Sequence, residues 1–269
     1  DDFKIYWNKF AIAKLLPGKD YLNPNFELIV DEILEQNQKQ KLINFIEKWI
    51  KNKISTVLES LIDLKDLKEK NSSIKALSYQ LYENNGVLKR DQVSEYLKNL
   101  GQSERKILRD LGVKFGRYHI FLHRLIKPEA VSLRTLLWKN YHQKYFDLKP
   151  PTFGLNFLEN KNFKSANFML LCGFEKFDSF YVRIDILERL FMQIINSEKE
   201  IKMIPEMLNL LGCSKENFKK LLKTMNYKII EKNDDMFFKY FPKKLNKKPS
   251  NKRIKKESPF EILKNLNLN

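Results

Sequence analysis

The chain has 269 residues, 43% hydrophobic and 31% charged, enough for one large or two modest domains with a substantial core. Lysine and arginine number 50 against 33 aspartate and glutamate, and the resulting net charge of +17 points to a polyanionic partner. Two cysteines, Cys172 and Cys213, are too few for a disulfide framework or a zinc knuckle, and no apolar run nears the roughly 20 residues that span a bilayer. With no secretory signal pattern, a cytoplasmic location and no membrane partner are expected. A start at Asp1-Asp2 in place of methionine gives the expectation of a piece of a longer protein.

Residues 1–26 read as a β-hairpin and entry loop. Aromatic and branched residues partly alternate through FKIYWNKFAIAKLL, with a turn near Asn8-Lys9. Residues 27–71 read as a long amphipathic helical segment. Ile43, Ile46, Ile50, Ile54, Val57, Leu61 and Leu64 recur at threes and fours, a core stripe opposite a solvated face.

Residues 72–145 read as a first winged-helix-like unit plus a following helix. Ser72-Ser73 can cap a helix that Gly86 ends, and a short extended piece leads to two more helices around the turn at Gly101. A hairpin over Val113–Phe121 completes the unit, and Pro128 opens the next helix. Residues 146–182 read as an irregular aromatic-rich connecting segment whose phenylalanines pack between units rather than stack on bases.

Residues 183–245 repeat the order of the first unit. A helix and a short strand lead to Pro205, the turn Leu211-Gly212-Cys213-Ser214 precedes a third helix, and a hairpin turns at Asn233-Asp234-Asp235. Residues 246–269 read as a basic disordered linker and a short terminal helix from Ser258, which is marginal alone and so expected to dock on a protein partner. The expected fold class is mainly α with short β-hairpins, a helical array containing two winged-helix-like units.

Enzymatic chemistry is not visible. None of the eight glycines has the spacing of a phosphate-binding loop, and Asp31-Glu32 lies at a helix start without one. His119 and His123 stand four apart but lack a third metal ligand, so no metal site is expected. Binding remains. In LGVKFGRYHIFLHRLIKPEAVSLRTLLW (111–138), core residues are interleaved with Lys114, Arg117, Tyr118, His119, Arg124, Lys127 and Arg134. Lys215, Lys219 and Lys223 share a face of the last unit's third helix, beside Lys220, and Lys228 continues the charge into the hairpin. Such a face either meets phosphates or is simply solvated. Lysines without base-reading Arg, Asn or Gln indicate phosphate attraction, not sequence readout.

The segment 108–138 resembles the C-terminal part of the mitochondrial degradosome RNA helicase family, superfamily 2 ATP-dependent helicases, in its alphaproteobacterial branch. The match lies in Leu108-Arg109, Leu111 to Val113, Phe115-Gly116, Tyr118-His119, Phe121-Leu122, Lys127-Pro128 and the final Leu-Leu-Trp. His123 stands where the family has proline, and Lys114 replaces arginine. Further similar stretches are Trp7 to Pro24, with Lys9 replacing a turn glycine, Gln80 to Leu88, Val182 to Leu190, Leu210 to Cys213 and Ser258 to Phe260. The resemblance implies a helicase whose RecA-like motor domains, using ATP and magnesium, precede this chain. The chain would be a non-catalytic accessory region that binds RNA or DNA and needs no cofactor itself. The alternative is a protein-interaction scaffold tethering the motor to a partner complex.

Overall fold

The computed structural model describes residues 2–30, 34–67, 72–159, 165–194, 200–232 and 235–241. The basic linker, the terminal helix, Asp31-Glu32 and the turn residues Asn233-Asp234 lie outside them. The described residues are mainly helical with small antiparallel three-stranded sheets, as expected. Among them no helix is long and apolar enough to cross a membrane.

Strands β1 (Lys4–Trp7) and β2 (Phe10–Leu16) form the expected hairpin. Asn8 and Lys9 both adopt left-handed φ angles of 44° and 73°, the geometry that lets a two-residue turn follow the strand twist. Lysine thus makes a tight turn where glycine would be easier. A third strand, β3 (Asn25–Leu28), pairs with β2, so the expected helical segment does not begin at residue 27. Backbone pairing to an existing edge outweighs the weak helical pattern there.

Helix α1 (Gln36–Val57) opens on a capping box between Glu35 and Gln38, and α2 (Glu59–Lys65) follows after a break at Leu58. The stripe is buried at Ile46, Ile54, Leu61 and Leu64. Its core continues through α3 (Ser72–Glu83), β4 (Val87–Lys89), α4 (Ser94–Lys98), α5 (Gln102–Asp110), β5 (Val113–Phe115) and β6 (His119–Leu122). These strands lie in the order β4-β6-β5.

The last part of the chain repeats that plan. Helix α6 (Pro128–His142), strand β7 (Phe157–Glu159), helix α7 (Ala166–Leu171) and strands β8 (Phe174–Lys176) and β9 (Phe180–Arg183) come first. Then follow α8 (Ile184–Ile194), β10 (Ile201–Lys202), α9 (Pro205–Leu211), α10 (Lys215–Thr224), β11 (Tyr227–Lys232) and β12 (Asp235–Tyr240). The final sheet has the order β10-β12-β11, so helix, strand, helix, helix, hairpin and strand order all match the first unit.

The expected irregular connector is in fact a third sheet of the same kind, ordered β7-β9-β8. Phe168, Phe174, Phe177 and Phe180 are buried in it or beside it, so these rings pack. A left-handed residue follows the helix that precedes the hairpin in each set: Gly112 at 90°, Gly173 at 85° and Asn226 at 64°. The chain turns the same corner three times.

Arg134 locks the first two sets together. It is fully buried, and its guanidinium donates to the carbonyls of Asn85 (2.5 Å), Leu125 (2.6 Å) and Leu171 (2.9 Å). The expectation that Arg134 contacts phosphate is therefore corrected: three carbonyls, not solvent, surround its charge. Burial pushes its pKa down to about 10, still charged at neutral pH. Arg134→Ala leaves those carbonyls without their donor, and urea denaturation is expected to show a loss of about 3 kcal/mol or more.

Candidate nucleic-acid interface

The hairpin turn of the first unit, between β5 and β6, carries a carboxylate from the last unit. Glu188 of α8 is buried and accepts the backbone N–H groups of Arg117, of Tyr118 (2.9 Å) and of His119 (2.7 Å). Three successive amides form an anion-binding concavity, and here the protein supplies the anion. Gly116 begins this turn because any Cβ there would collide with the Glu188 carboxylate. Each such charge-assisted bond contributes about 1.5–3 kcal/mol.

His119 extends the link. Its Nδ1 lies 3.0 Å from Glu188 and its Nε2 3.2 Å from Glu175 of β8, and Glu175 also binds Lys89 at 2.5 Å. All three sets of elements meet at this one imidazole. Burial opposes its charge, but hydrogen bonds and attraction from the two glutamates prevail, so its pKa is raised above 6.5. Burial pushes Glu175 up, and the His119 and Lys89 contacts more than reverse that, leaving it below 4.5.

The same turn projects Arg117 outward. Its guanidinium carbon sits 5.6 Å from the ring centroid of Tyr240 on β12, a cation–π contact. Next to Tyr240, Lys239 stands directly opposite Lys228 of β11. Like charges opposed across two strands repel unless an anion sits between them. On the other side, Arg90 donates to the Gly116 carbonyl at 2.7 Å. Burial lowers the Arg90 pKa, and the nearby charges of Arg105 and Arg117 lower it further. A basic seam thus runs from Arg90 through Arg117 to Tyr240 of the last hairpin, whose Lys228 and Lys239 stand on the opposite face of that sheet.

Helix α10 adds further cations. Ser214 caps the helix through the Asn217 N–H, and Phe218, Leu221 and Leu222 bury its inner face. Lys215, Lys220 and Lys223 are exposed and have no carboxylate at ion-pair distance among the described residues. Lys219 is bound to Glu231 of β11, which offsets part of this face.

The twelve expected contact residues therefore divide. Arg117 is exposed on the seam, Lys215, Lys220 and Lys223 on α10, and Lys228 on the outer face of β11. Lys114 on β5 and Lys127 at the start of α6 are exposed but lie off the contacts that build the seam. Arg124 pairs with Glu59 at 2.8 Å, joining the chain before α6 to α2. His119 is buried between glutamates, and Tyr118 packs edge-on against Phe191 with centroids 4.9 Å apart. For these two, phosphate contact is corrected to packing. His119 and His123 also diverge, one buried and the other exposed.

Sequence reasoning passed over Arg90, Arg105 and Arg109. Arg105 and Arg109 flank the Phe115 ring at 5.8 and 5.7 Å. Their spacing of four on a third helix was the available signal, the same one that marks α10.

Linkage fixes the pH dependence of the His119 cluster. A raised histidine pKa stabilises the fold fully below 6.5 and loses that contribution as pH rises through the folded value. A lowered Glu175 pKa contributes above 4.5 and loses it as pH falls through the folded value. Stability from this cluster peaks between those limits. The melting temperature is expected to fall as pH rises above about 6.5 through the raised folded-state value, and His119→Gln to flatten that decline. Compared with family models, curated proteins and solved structures, the chain matches none of them.

Proposed function

We propose that this chain is an accessory nucleic-acid-binding region of an ATP-dependent RNA or DNA helicase, holding a strand by phosphate contacts. The helix and strand order of α3 to β6 and of α8 to β12 supports reading both as winged-helix units, whose third helix and hairpin commonly face nucleic acid. One observation carries the reading: Arg117, beside Arg90 in the first unit, reaches Tyr240 of the last hairpin, so the cations of the first unit adjoin the hairpin that exposes Lys228 and Lys239. Scattered surface lysines would not select the faces of two units that the α8 carboxylate of Glu188 holds together.

The chemistry of this surface is attraction without readout. Its cations are mostly lysines, which bind phosphate as point charges and distinguish bases poorly. Strand separation itself, with ATP and magnesium, belongs in this reading to motor domains outside the chain. The chain contributes binding and guidance.

Six cations, Arg117, Lys215, Lys220, Lys223, Lys228 and Lys239, set the expected salt dependence. Releasing their counterions gives a slope of about −4 to −5 in log affinity against log salt. Neutralising Lys215, Lys220 and Lys223 to glutamine is expected to shallow the slope by about 2 to 3, read by fluorescence anisotropy with a labelled oligonucleotide. No binding at about 50 mM salt, where such contacts are strong, would refute the reading.

A further inference from the structure

The N-terminal hairpin and α1 carry a different surface. Tyr6, Trp7 and Phe10 on the hairpin and Phe45 and Trp49 on α1 are between 48% and 75% exposed. An exposed ring is ordinary, but Trp7, Phe10, Phe45 and Trp49 together in a chain that buries rings such as Phe168, Phe180, Phe191, Phe218 and Phe238 are not.

Local geometry gathers them. The left-handed turn at Asn8-Lys9 places Trp7 directly opposite Phe10 at the hairpin tip. Phe45 and Trp49 stand one turn apart on the same helix face. Trp7 meets Phe45 edge-to-face, with centroids 5.6 Å apart and an interplanar angle of 81°, which joins tip and helix. An edge-to-face pair leaves ring faces open to a third flat partner.

The charge around the rings selects that partner. Lys41 and Lys48 are exposed on the same α1 face as Phe45, four residues before it and three after, and Lys9 sits at the hairpin tip between Trp7 and Phe10. Glu47 is the one acidic residue in α1, against five lysines. A hydrophobic protein interface would not need this rim of cations, and a polyanion without rings would not need the aromatics. We infer that this patch stacks the bases of an unpaired nucleic-acid strand while Lys9, Lys41 and Lys48 hold its phosphates. Ring faces and ammonium groups address bases and phosphates alone, so RNA and DNA strands are equivalent occupants. The inference deepens the proposed function, on which it rests for the class of ligand, by naming the strand's form and a second site.

Tryptophan emission reads this site, because Trp7 and Trp49 are two of the three tryptophans and stacking quenches indole fluorescence. The full chain is titrated with oligo(U), oligo(dT), a duplex and an abasic sugar-phosphate strand of equal length. The two unpaired strands are expected to quench with similar affinity, and the duplex and abasic strand to bind at least about tenfold more weakly to this site. Trp49→Ala and Phe10→Ala, both at exposed positions, are each expected to weaken oligo(dT) binding about tenfold. The glutamine variant at Lys215, Lys220 and Lys223 is expected to retain the quenching, which separates failure of this site from failure of the seam. Three results would overturn the inference: no quenching, equal affinity for the abasic strand, or burial of the rings by self-association in sedimentation without added nucleic acid.

Discussion

The arrangement depends on one buried carboxylate. Glu188 leaves water to fill a concavity of three backbone amides, and nothing but a fixed anion satisfies that turn without solvent. Its position forces glycine at residue 116 and orients His119 toward Glu175, so α8, β6 and β8 converge on one cluster. Removing one partner would leave buried charge or buried donors unmatched, which costs more than the bonds themselves contribute.

This constraint connects fold to surface. Because the β5–β6 hairpin is held against α8, Arg117 at its tip reaches Tyr240 in the last hairpin, and the basic surface of the first unit adjoins that hairpin. Arg134 does a comparable task one layer back, where its guanidinium binds carbonyls from the first and second sets of elements. Charges that look alike in the sequence thus have opposite fates. Some are spent inside on alignment, and others, such as Arg117 and Lys220, stay exposed to solvent.

The sequence made the element types legible where periodicity was strong or turns were marked. The α1 stripe, the Asn8-Lys9 turn and the Pro205 and Gly212 boundaries all stand where their chemistry predicts. The middle sheet was not legible, because three-residue strands made of phenylalanine and tyrosine show no alternation. A parallel was nonetheless present: β6 and β9 begin at the same offset from Gly112 and Gly173. The site was half legible. Lys215, Lys220, Lys223 and Arg117 are exposed as expected, whereas Arg134, His119 and Tyr118 turned inward. Which cation is buried depends on carbonyls and carboxylates far away in the chain, such as Leu171 for Arg134 and Glu188 for His119, and no local pattern encodes those distances.

The most direct measurement is the distance between spin labels on α5 and α10, introduced as Lys106→Cys and Lys220→Cys with Cys172 and Cys213 replaced by serine or alanine. The account predicts one narrow distance distribution in the otherwise native chain and a broadened or shifted one when Glu188→Ala removes the carboxylate from the turn. An unchanged narrow distribution in that variant would contradict the claim that Glu188 holds the two basic surfaces in register.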